Sequence, residues 1–316
     1  MLIAFIGLFI GFGLLVWGAD RFVAGAAALA QQWGVSSLLI GLTIVGFGTS
    51  APEIIVSGMA AWQGSPGLAI GNALGSNIAN IGLILGISAL ITPLVIQSAV
   101  LKREYPLLFI VSLFAYGLLL DGQLDWLDSS LLLASLIAIF IWLINISQQH
   151  DQFSTELQAE IPEHLSRIAA GSWFIVGLIL LLGGSQILVW SATTLAILFG
   201  MSELVIGLTI VAIGTSLPEL ATSVISVIKR EHDLAVGNII GSNLYNLLAV
   251  LPVPGLFATT LIEDTVLIRD IPILLALTLA LFILGYRRSG TGRINRIAGA
   301  LLLSSFIGYQ TWLTIG

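Results

Sequence analysis

Ten runs of about 18 or more mainly apolar residues, each able to cross roughly 30 Å of hydrocarbon as a helix, follow one another along this chain. They fall at about 3–31, 36–62, 67–92, 105–120, 128–147, 169–199, 203–228, 234–257, 271–286 and 295–315. Lipid offers backbone groups no water, so only helices or closed barrels span it. These continuous runs lack the alternation of barrel strands, and the sequence therefore predicts an all-α integral membrane protein of ten transmembrane helices. Composition agrees, because only 9% of the 316 residues are charged, too few to coat a soluble fold. Eleven basic against 17 acidic residues leave no phosphate-binding surface for nucleic acid. Zero Cys excludes a disulfide scaffold and thiolate-bound metal. The first run has no basic segment before it and reads as a retained span, not a signal peptide.

Loop charge sets the orientation. With the N-terminus outside, the cytoplasmic loops carry Lys102, Arg103, Arg167, Lys229, Arg230, Arg287, Arg288, Arg293 and Arg296, and the outer loops only Arg269. Both termini are therefore expected outside, and the compact length suits a bacterial inner (cytoplasmic) membrane. A polar, acidic, Pro-broken segment, 148–168, reads as a cytoplasmic linker between two five-helix halves, 1–147 and 169–316.

Those halves are copies. At an offset of 166 residues (207 minus 41), 36–83 matches 202–249 at 22 of 48 positions without a gap. GLTIVGFGTSAPE at 41–53 aligns with GLTIVAIGTSLPE at 207–219, and GNALGSNIAN at 71–80 with GNIIGSNLYN at 237–246. Shared Gly, Thr, Ser, Pro, Glu and Asn at fixed spacing are not a composition effect. Five spans separate the copies, an odd number, so they cross the membrane in opposite senses. Two inverted five-helix repeats are the arrangement of secondary transporters, which bind substrate near the midplane between repeats. No HExxH or GxGD pattern supports an intramembrane enzyme.

The motifs supply oxygen. Pro52 and Pro218 interrupt their helices and are expected to free the carbonyls of Gly48 and Gly214. Of the acids, only Asp20, Glu53 and Glu219 fall well inside the predicted spans, where a charge costs at least about 2.5–3.5 kcal/mol. Thr49 and Ser50 share the helical face of Glu53, as Thr215 and Ser216 share that of Glu219, and Ser57 and Ser223 extend the stripe. Asn72, Ser76 and Asn80 form one face of the next helix, repeated by Asn238, Ser242 and Asn246. These asparagines either bond between helices or offer amide oxygens, and the glycines beside them either pack helices closely or shape a site. An all-oxygen, acidic set with no intramembrane His suits Ca2+ better than Zn2+ or Cu2+. One Ca2+, two Na+ or two H+ would each neutralise the two glutamates. Asp20 and Arg21, adjacent in the first span, read as an ion pair, an interfacial anchor or a gate element.

The duplicated motifs resemble the alpha-1 and alpha-2 repeats of the calcium/cation antiporter superfamily, most closely its prokaryotic sodium/calcium exchanger branch. That resemblance covers the whole chain and implies exchange of Ca2+ for Na+ by alternating access, with coupling to H+ or K+ as the alternative and a passive cation channel as a remoter one. It implies ligands at Glu53, Glu219, Thr49, Ser50, Thr215, Ser216, Ser76, Asn80, Ser242 and Asn246, and backbone carbonyl ligands at Gly46 and Ala212. It also implies that 1–31 and 171–200 form a gating pair. Exchangers of this kind often carry Asp where this chain has Asn246, which bears on the coupling ion. Beyond the transported cations and the lipid bilayer, no cofactor and no obligatory protein partner are expected.

Overall fold

A computed structural model describes residues 2–33, 37–96, 98–149, 166–198, 212–285 and 292–315. Most of the linker, at 150–165, and the opening of the second motif, at 199–211, lie outside the described residues. In the first half, α1 (Leu2–Trp33) is followed by α2 (Ser37–Ile40), a π-helical turn (Gly41–Val45), α3 (Gly46–Thr49) and α4 (Ala51–Trp62). Then come α5 (Pro66–Ala79), a π-helical turn (Asn80–Ile84), α6 (Leu85–Ile91), β1 (Leu94–Ile96), α7 (Ser98–Leu119), β2 (Gln123–Leu124) and α8 (Trp126–Gln149). The second half shows α9 (Arg167–Leu198), α10 (Ala212–Thr215), α11 (Leu217–Ile228), α12 (His232–Tyr245), a π-helical turn (Asn246–Val250) and α13 (Val253–Phe257). It ends with β3 (Thr260–Leu261), a π-helical turn (Val266–Asp270), α14 (Ile271–Gly285), β4 (Gly292–Ile294) and α15 (Arg296–Ile315).

This is a mostly helical protein with membrane-type helices. Among the described residues, six helices are long and apolar enough to cross a bilayer: Phe9–Leu29, Pro66–Ile91, Trp126–Leu143, Arg167–Gly184, His232–Phe257 and Val266–Leu284. The pair Gly41–Thr49 and Ala51–Trp62, bent by 47°, makes a seventh if counted as one span. The runs read at 105–120 and 295–315 form the helices α7 and α15, which fall outside that set, and 203–228 is described only from 212 onward.

The bend is local. Each motif helix breaks at a serine, Ser50 or Ser216, whose ψ lies near zero, and restarts with Pro52 or Pro218 in its first turn. There a proline costs no helical hydrogen bond. The interruption is thus a break ahead of the proline and not a long unwound stretch.

α5 and α12 form the centre. Their side chains are buried all round, from Ala69 to Ala79 and from Leu234 to Tyr245, which is the mark of a helix enclosed by others. Glycines let the 41–46 segment cross α12 almost backbone to backbone. A Cβ on Gly41 would stand 2.7 Å from the carbonyl oxygen of Leu234.

α1 and α9, 32 residues each, lie against one another. At about 1.5 Å per residue each is about 48 Å long, more than the hydrocarbon thickness, so both must tilt or project. Their contact runs over small residues: a Cβ on Gly18 would stand 2.8 Å from Leu181 N, and one on Gly184 the same distance from Leu15 N. The Phe22 and Phe174 rings meet at 4.7 Å between centroids. This pairing of the first helices of the two halves fits the expected juxtaposition.

The all-α expectation needs one amendment. Two short antiparallel strand pairs, β1 with β4 and β2 with β3, join ends of helices from different halves. They pair backbone groups of the connecting segments with one another. Arg296 adds a bond from Nη2 to the Ile91 carbonyl, 3.3 Å away.

Candidate functional site

Glu53 and Glu219 lie fully buried in the first turns of α4 and α11, one beyond each break. The serine at each break occupies the N-cap position yet does not cap its own helix. Its hydroxyl crosses to the other half. Ser50 Oγ donates to Glu219 Oε1 at 3.0 Å, and Ser216 Oγ donates to Glu53 Oε1 at 3.2 Å. Among the described residues each carboxylate keeps Oε2 without a hydrogen-bond partner.

The threonines cross over in the same way. Thr49 Oγ1 donates to Asn238 Oδ1, and Thr215 Oγ1 to Asn72 Oδ1, both at 3.0 Å. Asn72 Nδ2 donates in turn to Ser57 Oγ and the Glu53 carbonyl, at 3.0 and 3.2 Å. Asn238 Nδ2 makes the equivalent bonds to Ser223 Oγ and the Glu219 carbonyl, at 3.1 and 3.4 Å. For these two asparagines the interhelical role prevails. Their amides are consumed in fixing each glutamate-bearing turn to the central helix of its own half and to the threonine of the other. They are supports, absent from the expected ligand set, and their repeated spacing was the signal that marked them.

Of the remaining expected ligands, Ser242, Ser76, Ala212 and Gly46 join the same network, whereas among the described residues Asn80 and Asn246 are bonded to none of its members. Ser242 Oγ lies 3.4 Å from Thr49 Oγ1. Ser76 Oγ donates to the Ala212 carbonyl at 3.4 Å, and that carbonyl also receives Ser216 N at 3.1 Å. The Gly46 carbonyl receives Ser50 N at 3.0 Å. Asn80 Nδ2 donates to Asn243 Oδ1 at 3.3 Å, while Asn246, equally buried, has no hydrogen-bond partner. Asn80 and Asn246 each begin a π-helical turn, a distortion that recurs at functional sites.

Charge decides what this arrangement can do. Helix-dipole stabilisation of a carboxylate is at most about 2 kcal/mol, whereas burial in the membrane costs at least about 2.5–3.5 kcal/mol for each acid. None of the four ion pairs among the described residues includes Glu53 or Glu219. Among the described residues no group of three or more Asp, Glu or His is placed so that it could hold a metal ion. Two acids set among neutral hydroxyl, amide and carbonyl oxygens therefore have no counter-charge among the described residues, and either bound protons or a metal cation would neutralise them.

Other acids correct the sequence reading. Glu104 and Asp270 are also buried, at positions exactly one repeat offset apart (270 minus 104 is 166). Each is neutralised by the arginine before it, Arg103 or Arg269, and Asp270 also accepts from Tyr309 Oη at 2.9 Å. The repeated Arg–acid dipeptide could have revealed them. Asp20, by contrast, is 40% exposed and pairs with Lys229 Nζ at 2.8 Å, more closely than with Arg21 at 3.9 Å. Arg21 instead lies over the rings of Trp173 and Trp17.

Known proteins share this plan. The family described as sodium/calcium exchanger protein matches residues 3–145 and 170–315. CaxA of Alkalimonas amylolytica is 48% identical over 313 residues, covering 98% of each chain. The sodium/calcium exchanger MaX1 of Methanosarcina acetivorans is 30% identical over 342 aligned positions, covering 96% of this chain and 97% of its own. A solved structure of the sodium-calcium exchanger NCX_Mj, soaked with Na+ and Sr2+, superposes with a TM-score of 0.82 at 33% identity over 97% of each chain. With family match, relatives and fold in agreement over nearly its full length, the chain belongs to the sodium/calcium exchanger family of membrane transporters.

Proposed function

We propose that this protein is a secondary active antiporter, not an enzyme, that exchanges Ca2+ for Na+ by alternating access. The observation that carries this reading is the crossed pair of buried glutamates, each bonded to the other half's serine and each with one oxygen unpartnered. Two negative charges are matched by one Ca2+ or by two Na+. Unloaded, the doubly charged site resists passage through the low-dielectric interior; loaded with either ion, it passes. The expected hydroxyl, amide and carbonyl ligands, Thr49, Ser50, Ser76, Asn80, Gly46 and their partners Thr215, Ser216, Ser242, Asn246 and Ala212, offer with the glutamates more than the 6–8 oxygens that one Ca2+ takes, enough to serve more than one cation position.

Ten spans arranged as two inverted five-helix repeats supply the alternation, with α1 and α9, held together by their glycine contact, sliding as a pair on the core. Its support is the 166-residue offset between equivalent hydrogen bonds of the two halves, Thr49 to Asn238 and Thr215 to Asn72. We read both termini as outside a bacterial inner membrane, a reading that the loop charge supports.

A second reading couples Ca2+ to H+ or K+. It rests on Asn246, which brings no charge to the centre and so leaves only two acids to share among the counter-ions. Uptake of radiolabelled Ca2+ into proteoliposomes, with Na+, K+ and H+ gradients imposed one at a time, separates the two. An outward Na+ gradient is expected to drive uptake without K+ or a pH difference. Uptake that follows only the pH gradient would sink the sodium assignment, and ohmic single-channel currents would sink antiport itself.

A further inference from the structure

Four buried asparagines stand where the central helices run into their π-helical turns: Asn77 and Asn80 in the first half, Asn243 and Asn246 in the second. Among the described residues one hydrogen bond links the two pairs, from Asn80 Nδ2 to Asn243 Oδ1. That bond has a chemical consequence. A carboxylate presents oxygen on both sides, but an amide presents oxygen on one and an NH2 on the other. A cation accepts the first side and is repelled by the second. With Nδ2 engaged by Asn243, Asn80 is turned so that Oδ1, which has no hydrogen-bond partner, lies on the opposite side of the amide carbon.

We propose that Asn243 is a positioning residue that holds the Asn80 amide oxygen-first toward the transported cation. This rests on the antiporter reading above. Asn243 does not itself join the ligand set; it acts through Asn80. Its neighbours make the choice matter. Asn80 continues the stripe of Asn72 and Ser76, and those two residues bond to Thr215 Oγ1 and the Ala212 carbonyl of the other half. An amide flipped at Asn80 would set a hydrogen-bond donor, and not a ligand, at the end of that stripe.

The test is a double-mutant cycle on the full-length protein in proteoliposomes, reading the KM and kcat of Ca2+ uptake for wild type, Asn243→Leu, Asn80→Asp and the double variant. Asn243→Leu is expected to raise the Ca2+ KM about tenfold with kcat changed less than about twofold, the loss of one buried amide bond. In the Asn80→Asp background the same substitution is expected to change KM less than about twofold, because either carboxylate oxygen can face the ion. An equal KM penalty in both backgrounds would show that Asn243 merely packs the helices and would overturn the proposal, as would an unchanged KM in Asn243→Leu alone. If Asn243→Leu does not accumulate, Asn243→Ala replaces it in the cycle. The Ca2+-induced rise in Tm of the purified variants then reads binding without turnover, with the same pattern expected. Wild-type protein that moves no Ca2+ under any gradient would overturn the antiporter reading and this one together. Wild-type uptake with equal penalties would overturn only the role of Asn243.

Discussion

Ser50 and Ser216 stand where a helix-capping serine belongs, yet each donates its hydrogen bond to the glutamate of the opposite half. Replacing either with Ala is therefore expected to act on ion binding more than on folding. A hydrogen bond to a charged group contributes about 1.5–3 kcal/mol, so Ser50→Ala or Ser216→Ala should raise the Ca2+ KM at least about tenfold. The Tm should fall by less than loss of a true N-cap would cause, about 1 kcal/mol of stability. A collapse in Tm with KM unchanged would mean that the serines serve the helix. Spacing alone placed Thr49 and Ser50 on the face of Glu53, and Thr215 and Ser216 on that of Glu219. It could not show that the bonds run crosswise, because helical periodicity describes one helix and says nothing of which helix faces it. Asn72 and Asn238 illustrate the same gap: their repeat was plain in the sequence, but whether their amides would serve the ion or the packing depended on Ser57, Ser223 and two backbone carbonyls arriving within reach.

Among elements, α1 packs on the core through Leu15, Ala19, Phe22 and Val23, and among the described residues one ion pair adds to that contact, Asp20 with Lys229 at the end of α11, reinforced by a bond from Lys229 Nζ to the Asp20 carbonyl at 3.1 Å. The repeat offset places Gln186 and Gln63 at the equivalent positions, so an ionic link of this composition cannot form in the other half. Side chains of Asp20 and Lys229 are 40% and 34% exposed, and such a pair adds less than about 1 kcal/mol to stability. Its expected effect is on the exchange rate. Asp20→Lys and Lys229→Asp should each change the rate of Ca2+ uptake several-fold at unchanged Tm, and the double reversal should restore it. Failure of the double variant to recover would mean that the pair does not govern movement of α1. The sequence marked Asp20 as unusual but paired it with its chain neighbour Arg21. Lys229 is 209 positions away and no local pattern connects them. The breaks at Ser50 and Ser216 were better marked, since a proline followed by an acid inside an apolar run admits few other outcomes. The strand pairs were invisible because two or three residues carry no period.

At the scale of the whole molecule, apolar run length gave the membrane class, and the gapless 166-residue repeat gave the paired motifs that the crosswise hydrogen bonds join. Both need only one-dimensional information. The absence of Cys makes the orientation directly testable. Single cysteines placed at Gln123 and at Asn295 are expected to react from the outside and from the cytoplasm, respectively, with a membrane-impermeant maleimide. The same side for both would undo the inverted topology. The central claim, that Glu53 and Glu219 form one site shared by Ca2+ and its counter-ion, is tested most directly by equilibrium binding of radiolabelled Ca2+ to the purified protein. Wild type should bind Ca2+ and release it as Na+ is raised, steeply enough to require more than one Na+ per Ca2+, and Glu53→Gln/Glu219→Gln should bind none. Ca2+ binding that survives in the double variant, or that is indifferent to Na+, K+ and H+ alike, would contradict it.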